Sequence, residues 1–174
     1  RKHHDEARDR PRLEALRDRC ALILNAALPP HARGLPDIRD ALMASLRFTA
    51  FPEVPQVLRE LRGRGDRLLV VSNWDISLHD ALEAAGIAPL VDAAVSSAEA
   101  GSRKPHARIF THALVLAGGV APSDAVHVGD TIEADVEGAR AMGIAPVLVA
   151  RDGDPGPPGV ATISDLRELA TYLG

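Results

Sequence analysis

Aromatic side chains are scarce, at 3% of 174 residues, so a core must be built from Ala, Val, Leu and Ile. Cysteine is scarcer still. The single Cys20 excludes an internal disulfide, and no Cys/His cluster has zinc spacing, so the expectation is a cytoplasmic protein without structural metal. Basic excess is lacking too: 20 Lys plus Arg stand against 24 Asp plus Glu, and a net charge of -4 argues against a nucleic-acid partner. Apolar runs such as Leu68 to Val71 are far too short to span a bilayer, and no signal-peptide pattern opens the sequence. Nor is there an initiating Met. A chain that starts at Arg1 reads as a piece of a longer reading frame. What is present is ordinary for a globular protein: 46% hydrophobic and 25% charged residues, long enough for one domain with a small appendage.

Residues 1 to 50 read as helical. Leu13, Leu16, Cys20, Ile23, Leu24 and Ala27 recur at steps of three and four until Pro29-Pro30 ends the run, and a second helix is expected near Asp37 to Leu46. From Phe51 onward helices and strands alternate. Val54, Val57, Leu58 and Leu61 make a helical stripe, broken by Gly63 and Gly65 before the apolar strand Leu68 to Val71. Further strands are expected near Ala93 to Val95, Ala125 to Val128 and Val147 to Val149. The helices between them carry Leu78, Ala81, Leu82 and Ala85, then Phe110, Ala113, Leu114 and Ala117 behind Pro105, then Val136 and Ala139. Asp152 to Gly159 reads as loop, and Ser164 as the cap of a last helix ending at Leu173.

Three helix-to-strand junctions share one spelling: Gly86-Ile87-Ala88-Pro89, Gly119-Val120-Ala121-Pro122 and Gly143-Ile144-Ala145-Pro146. Gly suits the left-handed residue that closes a helix, the next apolar residue packs back, and Pro forbids resumption. Apolar strands alternating with helices imply an α/β protein with a parallel sheet covered on both faces.

Ligands of such sheets bind beyond the carboxyl ends of the strands. The polar residues fall there: Ser72-Asn73, Ser96-Ser97 and Gly129-Asp130. Taken singly, each has a plain explanation. Ser72, Asn73 or Asp75 suits a helix cap, and Asp130 and Glu133 favour a helix N-terminus. Lys104 reads as a solvated loop lysine, although a cation at a helix start would be relieved by an anionic partner. His127, between Val126 and Val128, reads as a satisfied core histidine, and Trp74 as a packing residue or a substrate contact. Gly153-Asp154-Pro155-Gly156 is a plain loop. His3-His4 do not face one way on a helix, which argues against a metal site there.

Taken together, Ser72-Asn73 after a strand, Lys104-Pro105 ahead of a helix, and Gly129-Asp130 with Asp135 resemble motifs II, III and IV of the haloacid dehalogenase-like hydrolase superfamily. The resemblance spans residues 51 to 174. Val71-Ser72-Asn73-Trp74-Asp75, Ser97-Ala98-Glu99 and Arg103-Lys104-Pro105 look like subfamily I, whose members carry an inserted helical cap, and residues 1 to 50 look like the later part of that cap. The resemblance implies a Rossmann-like core and Mg²⁺-dependent hydrolysis of phosphate monoesters on a small phosphorylated metabolite. Ser72 would hydrogen-bond the phosphoryl group and Lys104 would neutralise it. Asp130 would bind Mg²⁺, and Asp135 would orient Lys104 or take part in the metal site. Asn73 and Thr131 would assist through side-chain or backbone contacts.

The family's first motif, a strand ending in Asp-x-Asp-x-Thr, supplies the nucleophile and also the central strand. Nothing upstream of Ser72 resembles it: Asp5, Asp9 and Asp18 sit in a charged helical pattern and are expected to be solvated. The expectation is a truncated, inactive fragment of a phosphatase. The alternatives are a metal-independent haloacid dehalogenase and a non-catalytic binding module.

Overall fold

The structure, a computed structural model, describes residues 7–34 and 36–173. His3, His4 and Asp5 lie outside the described residues. Helix α1 runs Arg10–Ala27, opened by Asp9, whose carboxylate accepts from the Arg12 amide at 2.9 Å. Asp9 and Asp18 are both about half exposed and paired with arginines, Arg12 and Arg39. Helix α2 (Ile38–Ser45) packs on α1. The expected stripe of α1 is buried at Leu13 but not further along, where Ile23 is 70% exposed. This end of the molecule meets the remainder through Arg10–Asp80, 3.0 Å, and through Phe48, whose ring stands edge-on to Trp74 at 4.7 Å. Trp74 Nε1 donates to Ser77 Oγ at 3.2 Å.

The rest alternates as expected. Helix α3 (Val54–Gly63) precedes β1 (Leu69–Ser72), α4 (Leu78–Ala84), β2 (Ala93–Ser96) and the one-turn α5 (Ser97–Ala100). Then come α6 (Ala107–Leu116), β3 (Val126–Gly129), a wide π-helical turn at Ile132–Glu137, α7 (Gly138–Ala141), β4 (Ala145–Val149), β5 (Ala161–Ile163) and α8 (Glu168–Leu173). Every strand pairing is parallel. The strands form two half-sheets, β1-β2 and β3-β4-β5, and among the described residues β1 and β3 have no strand on their other edges.

Helices cover both faces. On one, Ile109 and Phe110 of α6 gather Val95 and Val71 from the first half-sheet with Ala139, Ile144 and Ala125 from the second segment. On the other, Val57 and Leu61 of α3 pack on Val147, Ile163 and Leu169, with Leu68 and Val128 alongside. Each cluster therefore bridges the two half-sheets. As the composition requires, the clusters are aliphatic, with Phe110 the largest fully buried side chain. Burial of this kind stabilises by roughly 1.5–3 kcal/mol per large side chain.

Several boundaries differ from expectation. Gly86 and Gly143 do close helices at φ +70° and +74°, with Ile87 and Ile144 buried and donating to carbonyls five residues back. At the third junction Gly118 takes that role: its amide bonds Val115 O while Gly119 N reaches Leu114 O, so the motif sits one residue earlier. Pro146 lies inside β4 rather than ahead of it. Helix α6 begins at Ala107, with His106 as its cap, so Lys104 stands in the loop before the helix. Ser164 does not cap α8; its hydroxyl and amide both donate to the Glu168 carboxylate, which closes the turn in reverse.

Candidate active site

Strand β1 ends in Ser72 and β3 in Gly129 with Asp130 directly after it, where the chain leaves the sheet and turns into helix. Ser72 ends β1, and its neighbour Asn73 turns toward the loop before α6. Asn73 Oδ1 accepts from Lys104 N at 2.7 Å, and Asn73 Nδ2 donates to Lys104 O at 3.1 Å. Both ends of this side chain are thus committed to the Lys104 backbone. It clamps the loop to the end of β1.

The other end of Lys104 reaches the second half-sheet. Its ammonium donates to Asp135 Oδ1 at 2.6 Å, with side-chain exposures of 11% and 5% for the two residues. Asp135 reaches this position because the wide turn after β3 brings it back over the strand. Thr131 O accepts from both Asp135 N and Val136 N, at 2.8 and 3.4 Å. Gly129 makes room: a Cβ there would overlap Asp135 Cγ. Asp135 Oδ2 accepts from Thr131 N at 3.0 Å, and Oδ1 from His127 Nε2 at 2.8 Å as well as from Lys104. Burial alone would raise its pKa. The His127 hydrogen bond, the Lys104 charge and hydrogen bond, and the Thr131 amide outweigh that and hold the carboxyl well below its ordinary range.

Asp130 is exposed, and one of its oxygens accepts from Thr131 Oγ1 at 3.1 Å. Of the two residues expected at a metal, Asp130 presents oxygen outward. Asp135 is 4% exposed and its oxygens are taken by protein donors. Among the described residues no group of three or more His, Cys, Asp or Glu side chains is placed to hold a metal ion. Mg²⁺ does not need such a cage; one or two carboxylates with waters and substrate phosphate oxygens suffice, and Asp130 fits as one of them.

Ser72, Asn73, Lys104, Asp130, Thr131 and Asp135 therefore lie along one connected path at the carboxyl ends of the strands. Ser96 stands beside Ser72 in the β1-β2 register, but among the described residues no side-chain hydrogen bond joins Ser96 or Ser97 to the path. Ser96 instead caps α5, its hydroxyl accepting from Glu99 N while Glu99 binds back to Ser96 N, and Ser97 Oγ donates to Trp74 O at 3.1 Å. The spelling Ser96-x-x-Glu99 is a sequence signature of such a reciprocal cap. Another legible signal is composition: of 20 basic residues only Lys2 and Lys104 are lysines. The pairing of His127 with Asp135 has no such signature, because it depends on how a turn folds back.

Comparisons with known proteins bear on the family and the fold. The family model described as haloacid dehalogenase-like hydrolase matches residues 6–143. A phosphoserine phosphatase of Thermus thermophilus is 38% identical over 127 residues, 71% of this chain and 51% of that protein. Among solved structures, a HAD phosphatase from Thermococcus onnurineus matches with a TM-score of 0.68 and 31% identity, over 72% of this chain and 58% of that one. A 2-haloacid dehalogenase from Pseudomonas syringae matches with a TM-score of 0.71 and 26% identity, over 92% and 71%. The chain spans 36 to 51% of the length of the first curated relatives it matches. A family model covering most of the chain, and a parallel α/β fold with helices on both faces shared with these structures, lead to one conclusion: the chain belongs to the haloacid dehalogenase-like hydrolase family.

Proposed function

We propose that the chain forms part of a Mg²⁺-dependent phosphate-monoester hydrolase acting on a small phosphorylated metabolite, with residues 51 to 174 as core and residues 1 to 50 as part of a helical cap. The observation that carries this reading is the connected path from Ser72-Asn73 through Lys104 and Asp135 to Thr131-Asp130. It sets a hydroxyl, a cation and an outward carboxylate at one end of a parallel sheet, where phosphate ligands bind.

In this reading Ser72 donates a hydrogen bond to a phosphoryl oxygen, and Lys104 neutralises the charge that builds on the transferring group. Asp135 holds the ammonium in place and Asn73 holds the loop that carries it. Asp130 holds Mg²⁺, which when bound supplies further charge neutralisation on the phosphate. The covalent step requires an aspartate. Its carboxylate attacks phosphorus, the substrate alcohol leaves with the ester oxygen, and water then cleaves the aspartyl-phosphate to release inorganic phosphate. The edges of β1 and β3, which no strand among the described residues pairs, suit a strand that would bring that aspartate between Ser72 and Asp130. Phosphatases among the relatives support this reading.

The dehalogenase neighbour favours a second reading, displacement of halide from a 2-haloacid on the same fold without metal. One pair of assays separates them: phosphate release from an aryl phosphate with Mg²⁺ or excess chelator, and halide release from 2-chloropropionate. Phosphate release that chelator abolishes supports the proposal; halide release without it supports the alternative. The 174-residue chain alone is expected to bind phosphate without turning it over, and the same chain extended upstream of Arg1 to include a strand ending in Asp is expected to hydrolyse it. Equal activity in both would show that the nucleophile lies within the present residues.

A further inference from the structure

His127 and Gly129 are two apart on β3, so both face the same side of the sheet. Both meet Asp135. Gly129 leaves the space that the carboxylate fills, and His127 stands beside it with Nε2 2.8 Å from Oδ1. An ionised carboxylate only accepts, so the ring nitrogen facing it carries the proton.

The ring itself is held. Phe110 meets it edge-on, with centroids 5.2 Å apart and planes at 81°. Phe110 is in turn seated against Gly138, where a Cβ would stand 2.8 Å from its ring and 3.0 Å from Pro105 Cα. A side chain at Gly138 would displace both the ring that steadies His127 and the residue that follows Lys104.

The carboxylate plane then has two fixed points: Thr131 N on Oδ2 and His127 Nε2 on Oδ1. What is left of Oδ1 receives the Lys104 ammonium. A lysine head rides on a flexible four-carbon stem and has no preferred address of its own. We infer that His127 is a positioning residue that fixes the Asp135 carboxylate and, through it, the place where Lys104 presents its charge to a phosphoryl group. The inference rests on the proposed phosphoryl-binding role of Lys104 and adds to it a third member, carried on β3.

The test reads the lysine directly. With ¹⁵N-lysine labelling, Lys104 should give a slowly exchanging ε-ammonium signal distinct from that of a solvated lysine, and inorganic phosphate with Mg²⁺ should shift it. His127→Leu should lose that signal. His127→Gln, whose amide can present a donor from nearly the same place, should keep it. Val57→Ala, in the cluster on the other face, lowers stability without touching the path and should also keep it. In the aryl-phosphatase assay of the active protein, His127→Leu should cost about tenfold in kcat, with His127→Gln recovering most of it. A folded His127→Leu with the wild-type signal overturns the inference, as does loss of the signal in Val57→Ala. Should His127→Leu fail to fold, loss of the signal in His127→Gln overturns it. A wild-type signal that phosphate leaves unmoved overturns the phosphatase reading instead, while the variants still decide on His127.

Discussion

The two half-sheets divide the chemistry unequally. The β1-β2 half ends in small neutral polar residues, Ser72, Asn73, Ser96 and Ser97, whose side chains mostly tie loops and caps together. The β3-β4-β5 half ends in charge: Asp130 outward, Asp135 inward, and Arg151 bound to Glu53 at 2.6 Å and stacked 3.6 Å above the Phe51 ring. Lys104 belongs to neither half. Its backbone is held by the first and its ammonium by the second. The lesson is that the neutral half supplies placement and the charged half supplies field, and a single loop between them converts two partial arrangements into one site.

The comparison can be broken most severely at that loop. Lys104→Ala should lower kcat/KM of the active protein toward an aryl phosphate by about a hundredfold or more, because a charge aimed at the transferring group is lost. Lys104→Arg should restore little, since a planar fork does not replace a compact ammonium against a single carboxylate oxygen. Steady-state kinetics on both variants checks this, and near-normal rates in Lys104→Ala would remove Lys104 from the mechanism.

Asp135→Ala should show the structural side of the same join. It leaves a nearly buried ammonium and imidazole without their acceptor; breaking a fully buried pair by removing one partner costs about 3–5 kcal/mol, and the cost here should lie toward the lower end. Gly129→Ala reaches the same carboxylate from below and should cost about 1–3 kcal/mol through overpacking. Urea unfolding measures both. Equal stability of Gly129→Ala and wild type would mean that Asp135 does not cross β3 as described.

A gentler probe is acid. The Asp135 carboxyl is depressed in the folded state, so the unfolded chain takes up its proton first as pH falls. Its contribution to stability is therefore complete above about pH 5, where the unfolded carboxyl is also ionised, and is lost progressively as pH falls below that. Glu99 is also depressed: burial works to raise it, and the Ser96 backbone and His79 hydrogen bonds outweigh that, so it adds in the same direction. Wild-type stability should drop between about pH 5 and pH 2, with a shallower slope in Asp135→Asn. The smallest effect is expected at Asp80, whose pair with Arg10 is more than half exposed on both sides; Asp80→Asn should change stability by less than about 0.5 kcal/mol.

The neutral half was the more legible in sequence. Val71-Ser72-Asn73 announces an apolar strand and its end, and Gly86-Ile87-Ala88-Pro89 marks where a helix must stop, because these depend on neighbours in the chain. The charged half is legible in its letters but not in its pairings. The family resemblance implies that Asp135 serves Lys104 or a metal site, and only the wide turn after β3 turns it toward His127 and Lys104. Strand β5, three residues after a Gly/Pro-rich loop, carries no periodicity of its own and exists because β4 offers it an edge. The start of α6 was misplaced for a related reason: Pro105 marks a turn, and the helix waits until His106 can cap it.

The scarcity of lysine has a practical corollary for chemical footprinting. Amine-selective acylating reagents ignore guanidinium groups, so among these 174 residues, 18 of them arginine, the side chains they face are only Lys2 and Lys104. Lys104 is nearly enclosed and engaged by a carboxylate, which should make it react more slowly than a solvated lysine. An anion seated beside it would slow it further. The ratio of label on two tryptic peptides would then report occupancy of the site by any candidate compound, without requiring that the compound be turned over.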